Sequence, residues 1–182
     1  GGAAAAAAVV RPGAVFVASP KHVLVAVLSA AGLPKMDVFG LCDPYVKVLV
    51  GEQEARTAYI RNTVAPTWNQ LFNFELWPSY EREYPGVVLE VWDHDDLTPD
   101  DFIGKVEIKW DDLTGEDREL IVRGGKTPQH IDGHEVGRLK LQATYARCVE
   151  RGFQQGAHLT KAHFQHLRAL LDEDGGGGGA GG

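Results

Sequence analysis

The sequence predicts an all-β protein, an eight-stranded antiparallel Greek-key β-sandwich with a C-terminal helix. Three observations carry that expectation. Short runs between residues 22 and 145 alternate apolar and polar side chains, the period of a strand. Pro, Gly and Asn punctuate the intervals between them. An apolar pattern of helical period appears only beyond that stretch.

His22–Ser29 opens the series with Val23, Val25 and Val27 on one face. Leu24, Ala26 and Leu28 line the other, as expected for a strand covered on both sides. Tyr45–Val50 sets Val46, Val48 and Val50 against Tyr45 and Lys47, and Ala55–Ile60 is the third strand. Gln70–Leu76 points Phe72, Phe74 and Leu76 inward and Asn73 and Glu75 outward. Val87–Trp92 gathers Val87, Leu89 and Val91. Phe102–Ile108 and Arg118–Arg123 follow, and Gly137–Tyr145 closes the set with Leu139, Leu141 and Ala143 on one face. Trp68, Trp77, Trp92 and Trp110 read as packing residues near the sheet ends. His130 and His134, flanking Asp132 in a Gly-containing stretch, read as solvated loop residues.

Beyond the last strand, Thr160 can cap a helix running to about Asp172, with Phe164, Leu167 and Leu171 on one side. The run from Phe164 to Asp174 resembles the entry of an EF-hand. Gly176 and Gly178 fall at ligand positions, however, and no later Glu is present to bind bidentately, so the run reads as a plain amphipathic helix. The expected division is a low-complexity segment at 1–19, a sandwich domain at 20–146, a linker and helix at 147–174, and a Gly-rich tail at 175–182.

The chain has 182 residues, enough for one domain with extensions. Its only Met is Met36, so a processed product or a piece of something larger is expected. A net charge of −7 argues against a nucleic-acid binder that works by neutralising phosphates. The apolar stretch Ala3–Val10 is too short to span a bilayer and no other run is long enough. Cys42 and Cys148 have no metal or disulfide spacing, which points to a reducing compartment.

Two aspartate clusters lie where the strand pattern breaks into loops. One runs from Asp37 to Asp43, and the other is Asp93-His94-Asp95 followed by Asp101. If the fold joins these loops, five carboxylates converge with no fixed cation supplied by the chain. Like charges about 4 Å apart repel by about 1 kcal/mol in water and by several times that at a partly dehydrated surface. An irregular, all-oxygen, carboxylate-rich site suits Ca²⁺ better than Mg²⁺, which demands an octahedron and keeps its waters. Asp is also common in ordinary turns, which accounts for Asp111 and Asp112 but poorly for two matched clusters.

Three segments then carry a resemblance. Leu33-Pro34 with Asp37, followed by Cys42-Asp43-Pro44-Tyr45-Val46-Lys47-Val48, resembles the first calcium loop and following strand of a C2 domain. Thr63, then Pro66-Thr67-Trp68-Asn69, then Phe72 and Phe74, is similar to that family's turn into its fourth strand. Val91-Trp92-Asp93-His94-Asp95 with Asp101-Phe102-Ile103-Gly104 resembles the third calcium loop. The resemblance covers about residues 20–146 and implies a connectivity of the phospholipase C type. It also implies that two or three Ca²⁺ ions are held by Asp37, Asp43, Asp93, Asp95 and Asp101. The backbone carbonyls of Met36 and His94 and the Thr98 hydroxyl are further implied donors. In such a module the apolar tips Val38, Phe39 and Leu97 enter the lipid interface once charge is neutralised. Burying Phe39 alone contributes about 1.5–3 kcal/mol. The third loop carries Asp96-Leu97 where members that steer to acidic lipid often have a basic residue. Near the third and fourth strands Arg56 and Arg61 are sparse, with Glu52 and Glu54 beside them, so a strong phosphoinositide site is not expected.

The implied function is a calcium-dependent phospholipid-binding module, cytoplasmic and peripheral to a membrane surface. A second reading is a protein-interaction scaffold, regulated by calcium or independent of it, whose partner engages the C-terminal helix. A metal-dependent hydrolase using His94 is disfavoured, because no other His has ligand spacing with the clusters and no G-x-S-x-G motif occurs.

Overall fold

The computed structural model describes residues 21–36, 40–146 and 154–158. Nine strands occur in these residues: β1 (Lys21–Ala31), β2 (Pro44–Val50), β3 (Gln53–Arg56), β4 (Thr67–Leu76), β5 (Gly86–Asp93), β6 (Asp101–Lys109), β7 (Arg118–Thr127), β8 (His130–Ala146) and β9 (Ala157–His158). A one-turn helix, α1 (Tyr80–Glu83), and a 3₁₀ turn at Trp110–Asp112 lie between them. The predicted C-terminal helix lies outside the described residues.

The strands form one antiparallel sheet in the order β3-β2-β5-β6-β7-β8-β1-β4-β9, curled so that its two halves enclose a common core. Alternation explains the inner faces. Val23, Val25 and Val27 of β1 lie opposite Phe74, Phe72 and Gln70 of β4, and Val25 and Val27 lie opposite Ala143 and Leu141 of β8. In the other half, Val46, Val48 and Val50 pair with Val91, Leu89 and Val87. All six of these residues are fully buried, so the period-two pattern and the packing agree. The first strand is a direct neighbour of the closing strand β8, the connectivity expected from the sequence. On the outer face of β1, Leu24, Ala26 and Leu28 join Leu71 in a second buried cluster, as the two-sided pattern implied.

Four sequence expectations need correction. The third strand is Gln53–Arg56 rather than Ala55–Ile60, because a two-residue turn at Gly51 and Glu52 starts the hairpin early. Gly51 adopts φ +60°, a conformation that Gly reaches without a Cβ penalty. His130, Asp132 and His134 belong to β8 rather than to a loop, since the β7–β8 hairpin extends to Thr127 opposite His130. The sheet has a ninth strand beyond the expected eight; β9 adds two residues to the open edge of β4. Trp77 is 43% exposed rather than packed, whereas Trp68 is buried.

Candidate functional site

Strand ends bring the described aspartates to one end of the sandwich. Asp43 immediately precedes β2, Asp93 ends β5 and Asp101 begins β6. Asp93 lies opposite Asp101 on one side and opposite Pro44 on the other, so three adjacent strand ends carry the carboxylates. The ladder continues into the loop, with the His94 N–H donating to the Asp43 carbonyl at 3.1 Å. Asp93 is 1% exposed, and its Oδ1 accepts the Asp43 N–H at 2.6 Å. Asp95 follows at the start of the 94–100 loop, partly exposed, and Thr98 is exposed further along. Met36 stands at the entry to the other loop, with its side chain exposed. Asp37, Val38 and Phe39 lie outside the described residues.

The expectation that no cation is supplied by the chain is overturned by Arg61. Its Nη1 stands 3.5 Å from Asp43 Oδ2, and its Nη2 stands 3.3 Å from Asp96 Oδ2. Arg61 Nη2 also donates to the Tyr59 hydroxyl at 3.2 Å, and the guanidinium lies 5.2 Å from that ring's centroid. Hydrogen bonds to Tyr59 and Asp96 push the guanidinium still further toward its charged form. The other Asp43 oxygen accepts the Asn62 N–H at 2.7 Å. Asn62 is held at φ +53°, a conformation Asn tolerates better than most residues, and this turn brings both groups onto Asp43.

Asp100 is a second residue whose role the motif did not reveal. Its Oδ1 accepts the Asp95 N–H at 3.0 Å and the His94 Nδ1–H at 3.1 Å, while its Oδ2 accepts the Tyr45 hydroxyl at 2.7 Å. Burial raises its pKa, but hydrogen bonds from the Asp95 backbone, Tyr45 and His94 outweigh that and hold it below the usual carboxylate range. Burial and the Asp100 contact push the Tyr45 hydroxyl upward. Asp100 thus braces the loop that carries Asp95. Because its folded-state pKa is depressed, its stabilisation is present above the unfolded carboxylate pKa and lost as pH falls through the folded one. Asp100→Asn is expected to lower unfolding stability by about 1–2 kcal/mol at neutral pH, with the difference shrinking in acid. Denaturant unfolding at several pH values checks this; a pH-independent difference contradicts the brace.

The loop tip itself is apolar. Leu97 is 98% exposed, between Asp96 and Thr98. On the adjoining strands, Lys47 lies 4.4 Å from the Trp92 ring centroid and Arg56 lies 5.9 Å from that of Tyr45. Cys42, next to Asp43, is fully buried, with its thiol directed to the Thr63 carbonyl, so it is a packing residue rather than a surface thiol.

The donor chemistry of Asp43, Asp93, Asp95 and Asp101 fits a hard, oxygen-seeking cation. Among the described residues, however, no group of three or more His, Cys, Asp or Glu side chains is arranged to hold a metal ion. Three contacts hold these carboxylates where they stand. The Asn62 turn and Arg61 engage both oxygens of Asp43, and Asp93 points one oxygen at the Asp43 backbone.

A family model for the C2 domain matches residues 21–123, and the chain belongs to the C2 domain family. It is 35% identical over 144 residues to FT-interacting protein 7 of Oryza sativa subsp. japonica; the match covers 76% of this chain and 18% of that protein. The chain therefore spans less than a fifth of that relative's length. Among solved structures, a single C2 domain of a plant extended synaptotagmin 1 is 22% identical with a TM-score of 0.57, over 72% of this chain and 98% of that one. A calcium-bound structure of a pair of C2 domains from extended synaptotagmin 2 is 21% identical with a TM-score of 0.56, over 71% of this chain and 47% of that one. At these identities the two structures speak for the fold. Among the described residues, no helix is long and apolar enough to cross a membrane.

Proposed function

We propose that residues 20–146 form a calcium-dependent phospholipid-binding module that docks the protein carrying it on a membrane surface. The observation that carries this reading is Leu97, an almost fully exposed apolar side chain at the tip of an acidic loop. An exposed leucine amid carboxylates has no packing role, and it gains free energy by leaving water for a lipid interface. Family membership and the four described aspartates at the same end of the sandwich support the calcium half of the reading.

In this reading Asp43, Asp93, Asp95 and Asp101 hold Ca²⁺ together with Asp37, and the backbone carbonyls of Met36 and His94 and the Thr98 hydroxyl complete the oxygen set. Bound Ca²⁺ supplies positive charge at the loop end and open coordination positions for lipid phosphate oxygens. Without it, the carboxylates face an anionic bilayer with like charge and hold the module away. Leu97, with Val38 and Phe39 of the other loop, then enters the interface. The module carries out no reaction of its own; it positions what is attached to it.

Leu97→Ala tests the insertion step. It is expected to weaken vesicle partitioning about fivefold at saturating calcium, on the scale of ~1 kcal/mol of apolar burial. The calorimetric calcium isotherm in the absence of vesicles stays unchanged, because Leu97 offers no donor. Partitioning equal to that of the parent chain contradicts insertion at this loop.

A further inference from the structure

We propose that Arg61 is a built-in counter-ion of the acidic loops that competes with calcium and sets the concentration at which they fill. The inference rests on the calcium reading above and assigns its regulation to a residue outside the ligand set. One guanidinium reaches both acidic loops, standing 3.5 Å from Asp43 before β2 and 3.3 Å from Asp96 after β5. The placement is fastened from several sides. The Asn62 N–H donates to Asp43, and Asn62 Oδ1 accepts the Leu41 N–H at 3.0 Å. The Tyr59 ring packs on His94 with centroids 4.2 Å apart, and the Tyr59 hydroxyl accepts from Arg61. The turn is thus tied to the 40–43 loop on one side and the 94–100 loop on the other.

The sign of the effect follows from charge. Arg61 relieves part of the repulsion among the carboxylates, so it stabilises the arrangement in which they hold no metal. A divalent cation bound by Asp43 must displace the guanidinium from Oδ2 or bind beside it, and either costs affinity. The Arg61 side chain is 59% exposed, so solvent screens the contact and the effect is moderate.

Calorimetric calcium titration of the full chain tests this with Arg61→Gln and Arg61→Lys. Arg61→Gln is expected to lower the half-saturating calcium concentration roughly twofold to fivefold, the scale of a screened ion pair. The difference narrows at high salt. Arg61→Lys keeps the charge and stays closer to the parent chain. A second readout is thermal unfolding in chelator, where Arg61→Gln is less stable than the parent; added calcium then raises its midpoint by a larger increment. An unchanged or weakened isotherm for Arg61→Gln, while the parent binds calcium, overturns the counter-ion role alone. Isotherms flat for all three chains overturn the calcium reading, and the counter-ion role with it.

Discussion

Asp95→Asn is expected to raise the calcium concentration needed for vesicle binding by about a hundredfold or more. Removing one charged partner from a partly dehydrated ion site costs ~3 kcal/mol, which converts to that factor. Asp95 is the most informative of the described aspartates because of how it is held. Its backbone N–H donates to Asp100, a contact that an Asn side chain leaves in place. The substitution therefore subtracts charge and little else. Asp93→Asn is a different experiment. Asp93 is buried and its carboxylate accepts the Asp43 N–H, so that variant perturbs the strand ends as well as the charge. A comparison of the two separates ligand loss from loop collapse. Asp95→Asn is at least as stable as the parent in chelator, since it removes one of the mutually repelling charges, and Asp93→Asn falls below the parent by about 1–2 kcal/mol. Pelleting of Asp95→Asn with vesicles at the parent's calcium concentration contradicts its place among the ligands.

Phe72→Ala is expected to destabilise the sandwich by about 3–5 kcal/mol, the cost of losing an aromatic side chain from a packed core. Phe72 is 1% exposed and lies opposite Val25 of β1 within the main core cluster. Its position joins the fold to the site. β1 holds β4 and β8 together, while the β2–β5–β6 half carries the aspartates, and the common core fixes one half against the other. Denaturant unfolding in chelator measures the loss without a calcium contribution. A loss below about 1 kcal/mol contradicts the packing described for β4.

The strands with an apolar inner face were legible because burial selects every second residue. Val87, Leu89 and Val91 are all fully buried, and so are Val46, Val48 and Val50. The elements that escaped the pattern lack that signature. The first half of β8 carries exposed His130, Gly133, His134 and Glu135, held to β7 by backbone pairing rather than by a buried face. The short strand β3 alternates between partly buried and exposed residues, with Ala55 its one apolar side chain, so no apolar period marks its start.

At the site, the motif identified which strand ends carry aspartates, since each lies where alternation stops. It did not identify what those aspartates touch. Arg61 reaches Asp43 across eighteen residues and Asp96 across thirty-five, through a turn that has no periodic pattern. The nearest local signal is Asn62, a residue type suited to the positive φ the turn requires. Asp100 stood inside the recognised segment, yet its bond to Tyr45 spans fifty-five residues and becomes visible only once β2 and the 94–100 loop are side by side. Long-range polar contacts of this kind depend on register, which composition does not encode.

The most direct measurement is cosedimentation of the full chain with vesicles of neutral and of acidic phospholipid, in calcium and in chelator. Pelleting in calcium and release in chelator are expected, with Leu97→Ala reducing the bound fraction on both vesicle types. Retention in the supernatant at saturating calcium, or equal pelleting in calcium and chelator, contradicts calcium-dependent docking.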